Sequence, residues 1–312
     1  MIDDRPVVLV TGASGFIGRH LKPALESGGW TVRRALRFTT GAENEVLIDT
    51  IGSATSWERS LVGVDSVVHL AARVHHPYEE HARELYQEIN VEGTLRLARS
   101  AADAGVRRFV FISTILVNGR STDGRGPINE DDELTPRGLY GVSKAVAETR
   151  LRKLSQNSGM QITVIRPPLV YGAGAKGNFQ LLTRVVQRGI PLPFASINNR
   201  RAFVAVENLA SFIQQRLSDA NEGYEVFLVA DDEQVSTPEF VRRLAKAAGA
   251  RSHLFPMPIS ALSALLKIGG RREVHDSLIG SLELDLSKVA STGWRPIVTL
   301  DEGLRLATKH SR

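Results

Sequence analysis

Cysteine is absent from the 312-residue sequence, and aromatic residues make up only 6% of it. Without cysteine the protein has no disulfide bond, thiolate metal site or cysteine nucleophile, and it tolerates a reducing compartment, so we expect it in the cytoplasm. No apolar run is long enough to cross a bilayer. The opening MIDDRPVVLVTG places acids before an apolar run that fits a first strand, so we expect neither a signal peptide nor a membrane partner.

A strong charge excess is also missing, because 39 basic residues face 34 acidic ones and leave a net charge of +5. No basic run or basic–aromatic repeat is present, so the mild excess favours a small anionic ligand and argues against nucleic acid. His75, His76 and His81 have no acid cluster beside them. The spacing from His75 to His81 suits neither a helix face nor a strand, so no metal site is predicted.

Glycine is well represented at one place, the sequence VVLVTGASGFIG over residues 7–18. Val7 to Val10 predict a strand buried on both faces, and a helical period begins within the glycine turn. Such a strand, turn and helix N-terminus direct free N–H groups and the helix dipole at one point, which suits a dinucleotide pyrophosphate; a glycine loop without a ligand is the alternative. The turn residues predicted to bind the cofactor are Gly12, Gly15, Phe16, Ile17 and Gly18.

Apolar runs alternate with helical patterns through the first two thirds of the chain. Strands are predicted at 31–36, 46–48, 66–70, 109–112, 162–165 and 224–229, and helices at 16–27, 79–104, 139–158 and 207–218. The alternation predicts an α/β fold with a Rossmann-type, doubly wound parallel sheet. Prolines punctuate the later chain, which indicates a smaller, discontinuous C-terminal substrate lobe. We expect one domain over 1–167 and about 202–230, and the lobe over about 168–201 and 231–312.

The sequence YGVSK places Tyr140 and Lys144 four residues apart at the start of a predicted helix, and therefore on one face. A lysine ammonium beside a tyrosine favours the phenolate, so we expect the pKa of Tyr140 to be lowered. Such a tyrosine can exchange a proton with a sugar oxygen, and Thr114 at an earlier strand end can hydrogen-bond the same oxygen. The alternative is an exposed Tyr and Lys on a helix surface.

The chain resembles the extended short-chain dehydrogenases/reductases that act on nucleotide sugars as epimerases, dehydratases and reductases. The resemblance covers nearly the whole length. It rests on TGASGFIG at 11–18, Asp49, HLAA at 69–72, NVEGT at 90–94, FVFISTILVNG at 109–119, YGVSK at 140–144, RPPLVYG at 166–172, GNF at 177–179, RRAFVAVENLA at 200–210 and LDLSK at 284–288.

The resemblance implies a role for each matching residue. Thr114, Tyr140 and Lys144 take the catalytic positions, with Lys144 also on the nicotinamide ribose. Cofactor contacts are implied for Asp49, Thr50, Leu70, Ala71, Ala72, Asn90, Ser113 and Pro167. Substrate contacts are implied for Thr114, Asn178, Phe179, Arg201 and Asp285, of which Asn178 and Arg201 match residues that hold the diphosphate of a UDP-sugar. Arg73 is a further candidate for contact with the sugar, because it lies just after the end of a predicted strand. The family also implies a homodimer through the helices near 79–104 and 139–158.

The second strand indicates which cofactor is used. NAD-specific sites place an acid at its end, whereas here Arg33, Arg34 and Arg37 surround that position, and Arg37 follows the strand directly. A guanidinium there complements a ribose phosphate, so NADP(H) is favoured, although NAD(H) stays possible. A solvated basic loop is the alternative.

The reaction is narrowed by residues that are missing. Ile115 and Leu116 follow Thr114 where family dehydratases have an Asp-Glu pair, and no cysteine is present for an epimerase-reductase of the GDP-fucose type. Asn118, Leu169, Ala202 and Ala205 also depart from the family pattern and argue against the galactose epimerase subgroup. A 4-epimerase and a ketoreductase remain.

The arginines and a resemblance to bacterial O-antigen reductases favour a C4-reductase. Its substrate would be UDP-2-acetamido-2,6-dideoxy-hexos-4-ulose, and its product UDP-N-acetylquinovosamine or UDP-N-acetylfucosamine.

Overall fold

The computed structural model describes residues 5–74, 79–219, 223–268 and 278–309. His75 and His76 lie outside the described residues. No helix within the described ranges is both long and apolar enough to cross a membrane.

The strands in chain order are β1 (Val7–Thr11), β2 (Thr31–Leu36), β3 (Glu45–Leu47), β4 (Ser66–His69), β5 (Arg108–Ile112), β6 (Gln161–Arg166), β7 (Leu169–Tyr171), β8 (Phe203–Ala205) and β9 (Tyr224–Leu228). Seven of these nine strands agree with the predicted positions to within a residue or two at each end, and the two short strands β7 and β8 were not predicted.

The helices follow in chain order. They are α1 (Phe16–Ser27), α2 (Ala82–Tyr86), a π-helix (Gln87–Gly93), α3 (Thr94–Asp103), a 3-10 turn (Ile115–Val117), α4 (Gly138–Ser158), α5 (Asn178–Gln187), α6 (Val206–Ser218), α7 (Thr237–Ala247), α8 (Ile259–Ile268), α9 (Ser287–Ser291) and α10 (Leu300–Lys309).

Seven strands form the main sheet in the order β3-β2-β1-β4-β5-β6-β9, and the pairs from β3 to β6 are parallel. The predicted doubly wound parallel sheet is therefore present. Register aligns the strand ends: Thr11 lies beside Ala35 and His69, and His69 beside Phe111. One edge of the sheet, formed by the carboxyl ends of its strands, therefore carries the glycine turn, the end of β2 and Thr114. Ligands of such sheets bind at this edge.

The prediction of one continuous helix over 79–104 was wrong in the middle of that range. The structure begins helix α2 at Ala82 and inserts a π-helical segment before α3. Within that segment the side chain of Asn90 bonds the main chain of Arg73. Gly93 lies against the loop after β3, where an added Cβ would come within 2.7 Å of Ile51. The π-helical segment is therefore associated with contacts to residues distant in sequence, which helical periodicity alone does not report. Irregularities of this type are common near functional sites.

The chain divides into two compact units. The first comprises 1–119, 133–166 and 210–227, and the second comprises 120–132, 167–209 and 228–312. Segments 120–132 and 202–209 fall in the second unit, whereas the sequence texture assigned them to the first domain. Ile128 bridges Leu284, and β8 pairs with β7, which accounts for both placements. The functional domain boundaries stay a prediction.

Each unit has its own buried interior. In the first, aliphatic and aromatic side chains from the sheet pack with α3 and α4 around Trp57, Phe109 and Phe111. In the second, the ring of Phe240 lies 4.1 Å from that of Phe203 and 5.8 Å from that of Tyr171, measured between centroids.

Candidate active site

The glycine turn has the geometry that an anion site needs. Gly12 has φ +68°, and a Cβ there would lie 2.8 Å from the Ala71 nitrogen. A Cβ on Gly18 would lie 2.6 Å from the Gly12 oxygen, so that glycine lets α1 approach the end of β1. Gly15 precedes α1; no side chain caps this helix, and its first turn holds no acid. These features leave the helix N-terminus, with Phe16 and Ile17, able to receive a pyrophosphate, so the chain fits a dinucleotide.

The three arginines near the end of β2 differ in what they contact. Arg33 donates to the carbonyl oxygens of Ser60 (2.9 Å) and Val62 (2.7 Å), and Arg34 pairs with Glu45 at 2.5 Å. Arg37 is exposed and, among the described residues, its guanidinium has no partner. The expectation that Arg33 or Arg34 also serves a ribose phosphate is not supported, because main-chain carbonyls and a carboxylate occupy them.

Tyr140 and Lys144 lie in the first turns of α4, as predicted. Lys144 is 1% exposed, and its Nζ donates to the Ile112 oxygen at 2.7 Å and lies 4.2 Å from the centre of the Phe111 ring. The centre of the Tyr140 ring is 5.9 Å from the same Nζ. Thr114, two residues after the end of β5, accepts a hydrogen bond from Leu116 N–H at 3.3 Å. Its hydroxyl proton is thus available to another acceptor.

The expected lowering of the Tyr140 pKa was wrong. Burial, with a smaller contribution from Tyr86, raises the pKa of the Tyr140 phenol above its ordinary value. Burial also lowers the pKa of Lys144 to about 7, against the opposing effect of Glu148. Burial therefore decides the direction of both pKa shifts, and the Lys144 ammonium is directed to the Ile112 oxygen, with its Nζ 5.9 Å from the centre of the Tyr140 ring.

Asn90 fixes the surroundings of α4. Its Oδ1 accepts the Arg73 N–H at 2.7 Å, and its Nδ2 donates to the Ser143 hydroxyl at 3.0 Å. Ser143 in turn donates to the Tyr140 carbonyl oxygen. The side chain of Asn90 is therefore occupied by protein groups, and it ties the loop after β4 to the helix that carries Tyr140.

His69, at the end of β4, is a buried neutral link. Thr94 Oγ1 donates to the Asn90 oxygen, so it accepts from His69 Nε2 (2.9 Å), and His69 Nδ1 accepts from Thr11 Oγ1 (2.7 Å). Burial, with Lys144 as a lesser cause, lowers the pKa of His69 to about 3.

The other proposed cofactor residues lie after strand ends. Asp49 and Thr50 are exposed after β3, while Leu70, Ala71 and Ala72 are partly exposed after β4. Ser113 is buried; its hydroxyl donates to Glu148 and its N–H donates to the Ile165 oxygen at 2.8 Å, so both of its donors are used within the protein. Pro167 directly follows β6 and is buried.

Arg73 is held by its neighbours in the first unit. Its guanidinium pairs with Glu79 and lies 5.9 Å from the centre of the Tyr86 ring. The structure therefore gives this side chain protein partners, and its contact with the sugar stays a prediction.

The proposed substrate residues of the second unit have mixed environments. Asn178 is exposed at the first position of α5. Phe179 is 5% exposed and packs against Tyr171 and Phe240, so the expected side-chain contact with substrate is not supported. Arg201 is buried and donates to the Gly280 oxygen.

Asp285 is exposed, but its carboxylate accepts the N–H and the hydroxyl of Ser287. It stabilises the start of α9. It also lines an open cavity of about 400 Å³ with Pro127, Asp232, Gln234, Leu284 and Leu286.

Sequence reasoning missed a buried charge cluster beneath Lys144. Glu148 accepts bonds from Arg166 Nε (3.1 Å) and from Arg166 Nη2 (2.6 Å). Arg166 Nη1 donates to Asn118 Oδ1 at 3.1 Å. The signal was available, because Glu148 follows Lys144 by four residues, as Lys144 follows Tyr140, and so shares the helix face.

No group of metal-binding side chains occurs in the ranges that the structure describes. His81 is exposed, and its Nε2 lies 3.6 Å from a Glu80 oxygen.

Comparison with known proteins identifies similar chains. The model of the NAD dependent epimerase/dehydratase family matches residues 8–230. A UDP-glucose 4-epimerase of Vibrio cholerae is 39% identical over 96% of this chain and 93% of that protein. A GDP-6-deoxy-D-mannose reductase of Pseudomonas aeruginosa is 27% identical over 96% of this chain and 94% of that protein. The solved structure of a UDP-glucose 4-epimerase from Thermus thermophilus in complex with NAD has a TM-score of 0.77 at 25% identity, covering 97% of this chain and 98% of that one.

The sequence thus matches the family model over most of its length, and the same chain has the glycine turn, the parallel sheet and the Tyr140–Lys144 pair. The protein therefore belongs to the NAD dependent epimerase/dehydratase family, as an NAD(P)-dependent oxidoreductase of nucleotide sugars.

Proposed function

We propose that the protein is an NADPH-dependent C4-ketoreductase. Its substrate would be a UDP-2-acetamido-2,6-dideoxy-hexos-4-ulose, reduced to UDP-N-acetylquinovosamine or UDP-N-acetylfucosamine for a surface polysaccharide such as O-antigen. The observation that carries the proposal is Arg37, an exposed guanidinium without a partner among the described residues, at the strand end where NAD-specific sites hold an acid. A phosphorylated, exchangeable cofactor suits one-way reduction.

The proposed cofactor site uses the first unit. The turn from Gly12 to Gly18 would hold the pyrophosphate, Arg37 the ribose phosphate and Lys144 the nicotinamide ribose. When bound there, NADPH supplies a hydride to C4 of the sugar.

The proton would come from Tyr140. Because burial raises the pKa of its phenol, the side chain keeps its proton at neutral pH, which is the state that a proton donor needs. The Thr114 hydroxyl would donate a hydrogen bond to the same C4 oxygen and stabilise the charge that develops there. Aliphatic Ile115 and Leu116 cannot transfer protons, so a separate dehydratase must supply the 4-keto-6-deoxy substrate.

The second unit would hold the nucleotide. Asn178, exposed at the start of α5, is proposed to bond the UDP diphosphate. Arg201 would contribute charge near it, although its guanidinium also bonds the Gly280 oxygen. A cytoplasmic homodimer is the proposed working form.

A second candidate is a UDP-hexose or UDP-N-acetylhexosamine 4-epimerase with tightly bound NAD. The observation in its favour is the 39% identity to the Vibrio cholerae UDP-glucose 4-epimerase. The catalytic set would be the same, so the cofactor and the number of turnovers separate the two functions.

The test uses two incubations of the purified protein. With NADPH and a UDP-4-keto-6-deoxy-N-acetylhexosamine, we expect one sugar product and one NADP+ per substrate consumed, identified by NMR and by absorbance. With UDP-glucose or UDP-N-acetylglucosamine and no added cofactor, we expect no change. Formation of the C4 epimer over many turnovers in the second incubation would replace the reductase by the epimerase.

A further inference from the structure

The segment Ser113–Asn118, which carries Thr114, is anchored at both of its ends by buried side chains. At one end the Ser113 hydroxyl donates to the Glu148 carboxylate. At the other, Asn118 Oδ1 accepts a bond from Arg166 Nη1 at 3.1 Å. These four residues are all at most 4% exposed, so solvent does not compete for the bonds.

Both anchors lead to the same ion pair. Arg166, at the end of β6, donates to Glu148 through Nε at 3.1 Å and Nη2 at 2.6 Å. Glu148 lies two helical turns after Tyr140 on α4. The helix that presents Tyr140 and the segment that presents Thr114 are consequently joined through the Glu148–Arg166 pair.

Further contacts hold the segment against the start of α4. Lys144 Nζ donates to the oxygen of Ile112, the residue before Ser113, at 2.7 Å. The Arg137 N–H donates to the Leu116 oxygen at 3.2 Å, and a Cβ on Gly141 would lie 3.0 Å from that oxygen. Thr114 therefore has little freedom to move relative to Tyr140 while the ion pair and its two anchors are intact.

We propose that Glu148 and Arg166, acting through Ser113 and Asn118, are positioning residues that set Thr114 against the substrate oxygen that Tyr140 protonates. A charge-assisted pair with a fixed fork geometry suits this role, because Arg166 engages Glu148 and Asn118 at the same time. Asn118 is one of the residues that depart from the family pattern, and its side-chain amide oxygen accepts the hydrogen bond from Arg166. The proposal holds for reduction and for epimerisation alike, because both use the same oxygen.

The experiment opens each end of the segment with Ser113→Ala and with Asn118→Leu. In the parent background we expect each substitution to lower kcat by roughly ten-fold or more, while KM changes less. In a Thr114→Ala background, where no hydroxyl remains to be placed, we expect neither substitution to lower kcat further. In a Thr114→Ser background, which restores a hydroxyl, we expect the loss to return.

Ser155→Ala is the matched control. Ser155 is a buried serine of α4, the helix that carries Glu148. Its hydroxyl donates to the Met160 oxygen and does not reach the ion pair. We expect a similar loss of thermal stability and an unchanged kcat. If Ser113→Ala lowered kcat by the same factor in the parent and in the Thr114→Ala background, the proposal would be overturned. An unchanged kcat in both Ser113→Ala and Asn118→Leu would also overturn it.

A second readout needs no turnover and separates this proposal from the proposed reaction. In methyl NMR of the full-length protein, the Thr114 methyl resonance is expected to shift or broaden in Ser113→Ala and in Asn118→Leu, and to stay unchanged in Ser155→Ala. An unaltered Thr114 resonance in both anchor variants would contradict the positioning role, whatever substrate the enzyme uses.

Discussion

Arg33, Arg34 and Arg37 have the same side chain within one short stretch, but their surroundings separate them. Two carbonyl oxygens hold Arg33, and Glu45 holds Arg34 while also accepting the Thr40 N–H at 2.6 Å. Only Arg37 presents a guanidinium to which the described residues offer no partner. Residue type alone could not distinguish them; the partners supplied by β3 and by the loop after Trp57 do.

Replacing Arg37 by Ala tests its proposed contact with the ribose phosphate. A charge-assisted hydrogen bond contributes about 1.5–3 kcal/mol, so NADPH affinity should fall roughly ten- to hundred-fold while NADH affinity changes little. Titration of nicotinamide fluorescence would measure both dissociation constants. Arg33→Ala is the control and should leave the ratio unchanged; a parent protein that binds both cofactors equally would refute the preference.

Replacing Tyr140 by Phe removes the hydroxyl and keeps the ring. If Tyr140 donates the proton, kcat should fall by about a hundred-fold or more, with NADPH affinity and the circular dichroism spectrum retained. Stopped-flow oxidation of NADPH would measure the loss. Activity within about a few-fold of the parent would remove Tyr140 from the proton-transfer role.

Lys144 gives a pH-dependent effect on stability. Its pKa is lowered to about 7 by burial, whereas the unfolded chain has the ordinary value near 10.5, so between these values the unfolded state binds more protons. The contribution of Lys144 to the free energy of unfolding should therefore rise as pH rises from 7 towards 10. Lys144→Met lacks this contribution. Denaturant unfolding at pH 7, 8 and 9 should show the parent gaining stability relative to the variant; a constant difference would contradict the lowered pKa.

At the scale of elements, the sequence predicted what periodicity and glycine spacing encode. Buried apolar runs predicted the seven strands of the main sheet, and Gly12, with its positive φ, marked the tight turn correctly; the two short strands β7 and β8 were not predicted. Long-range contacts were beyond its reach. The π-helix depends on Asn90 meeting the loop after β4, and the burial of Phe179 depends on rings from β7 and α7. The Glu148–Arg166 pair joins α4 to β6, and only the folded sheet brings these two elements together.

The turn after β1 can be tested with two glycines that have the same positive φ. Gly12 and Gly159 both have φ +68°, but a Cβ on Gly12 would lie 2.8 Å from the Ala71 nitrogen, whereas Gly159 has nothing within 4 Å. Replacement of Gly159 by Ala should cost only the conformational penalty of about 1–2 kcal/mol. Gly12→Ala should cost more and also weaken NADPH binding, because the turn must move. Thermal unfolding and fluorescence titration would measure both effects, and equal losses in the two variants would show that the close approach to Ala71 has no consequence.

At the scale of the molecule, the chain passes repeatedly between the two units, so each interior collects distant segments. In the second unit one buried carboxylate joins several of them. Asp231 accepts the Tyr171 hydroxyl at 2.7 Å, the Ala205 N–H at 3.0 Å and the Asn208 amide at 2.7 Å. Asn208 in turn accepts the N–H groups of Ile297 and Val298. The Asp231 carboxylate thus links strands β7 and β8 to helix α6. Through Asn208 it is also connected to the segment before α10.

Replacing Asp231 by Leu should therefore destabilise the second unit strongly. Three buried donors would lose their acceptor, at about 1–3 kcal/mol for each group left unsatisfied. Asp232→Leu is the control, because Asp232 is exposed and the substitution removes the same charge. Hydrogen exchange followed by mass spectrometry should show faster exchange in Asp231→Leu over 169–171, 203–208 and 297–304, and parent-like exchange in Asp232→Leu. Unchanged protection of those segments in Asp231→Leu would mean that the aromatic packing around Tyr171 and Phe240, and not this carboxylate, holds the unit together.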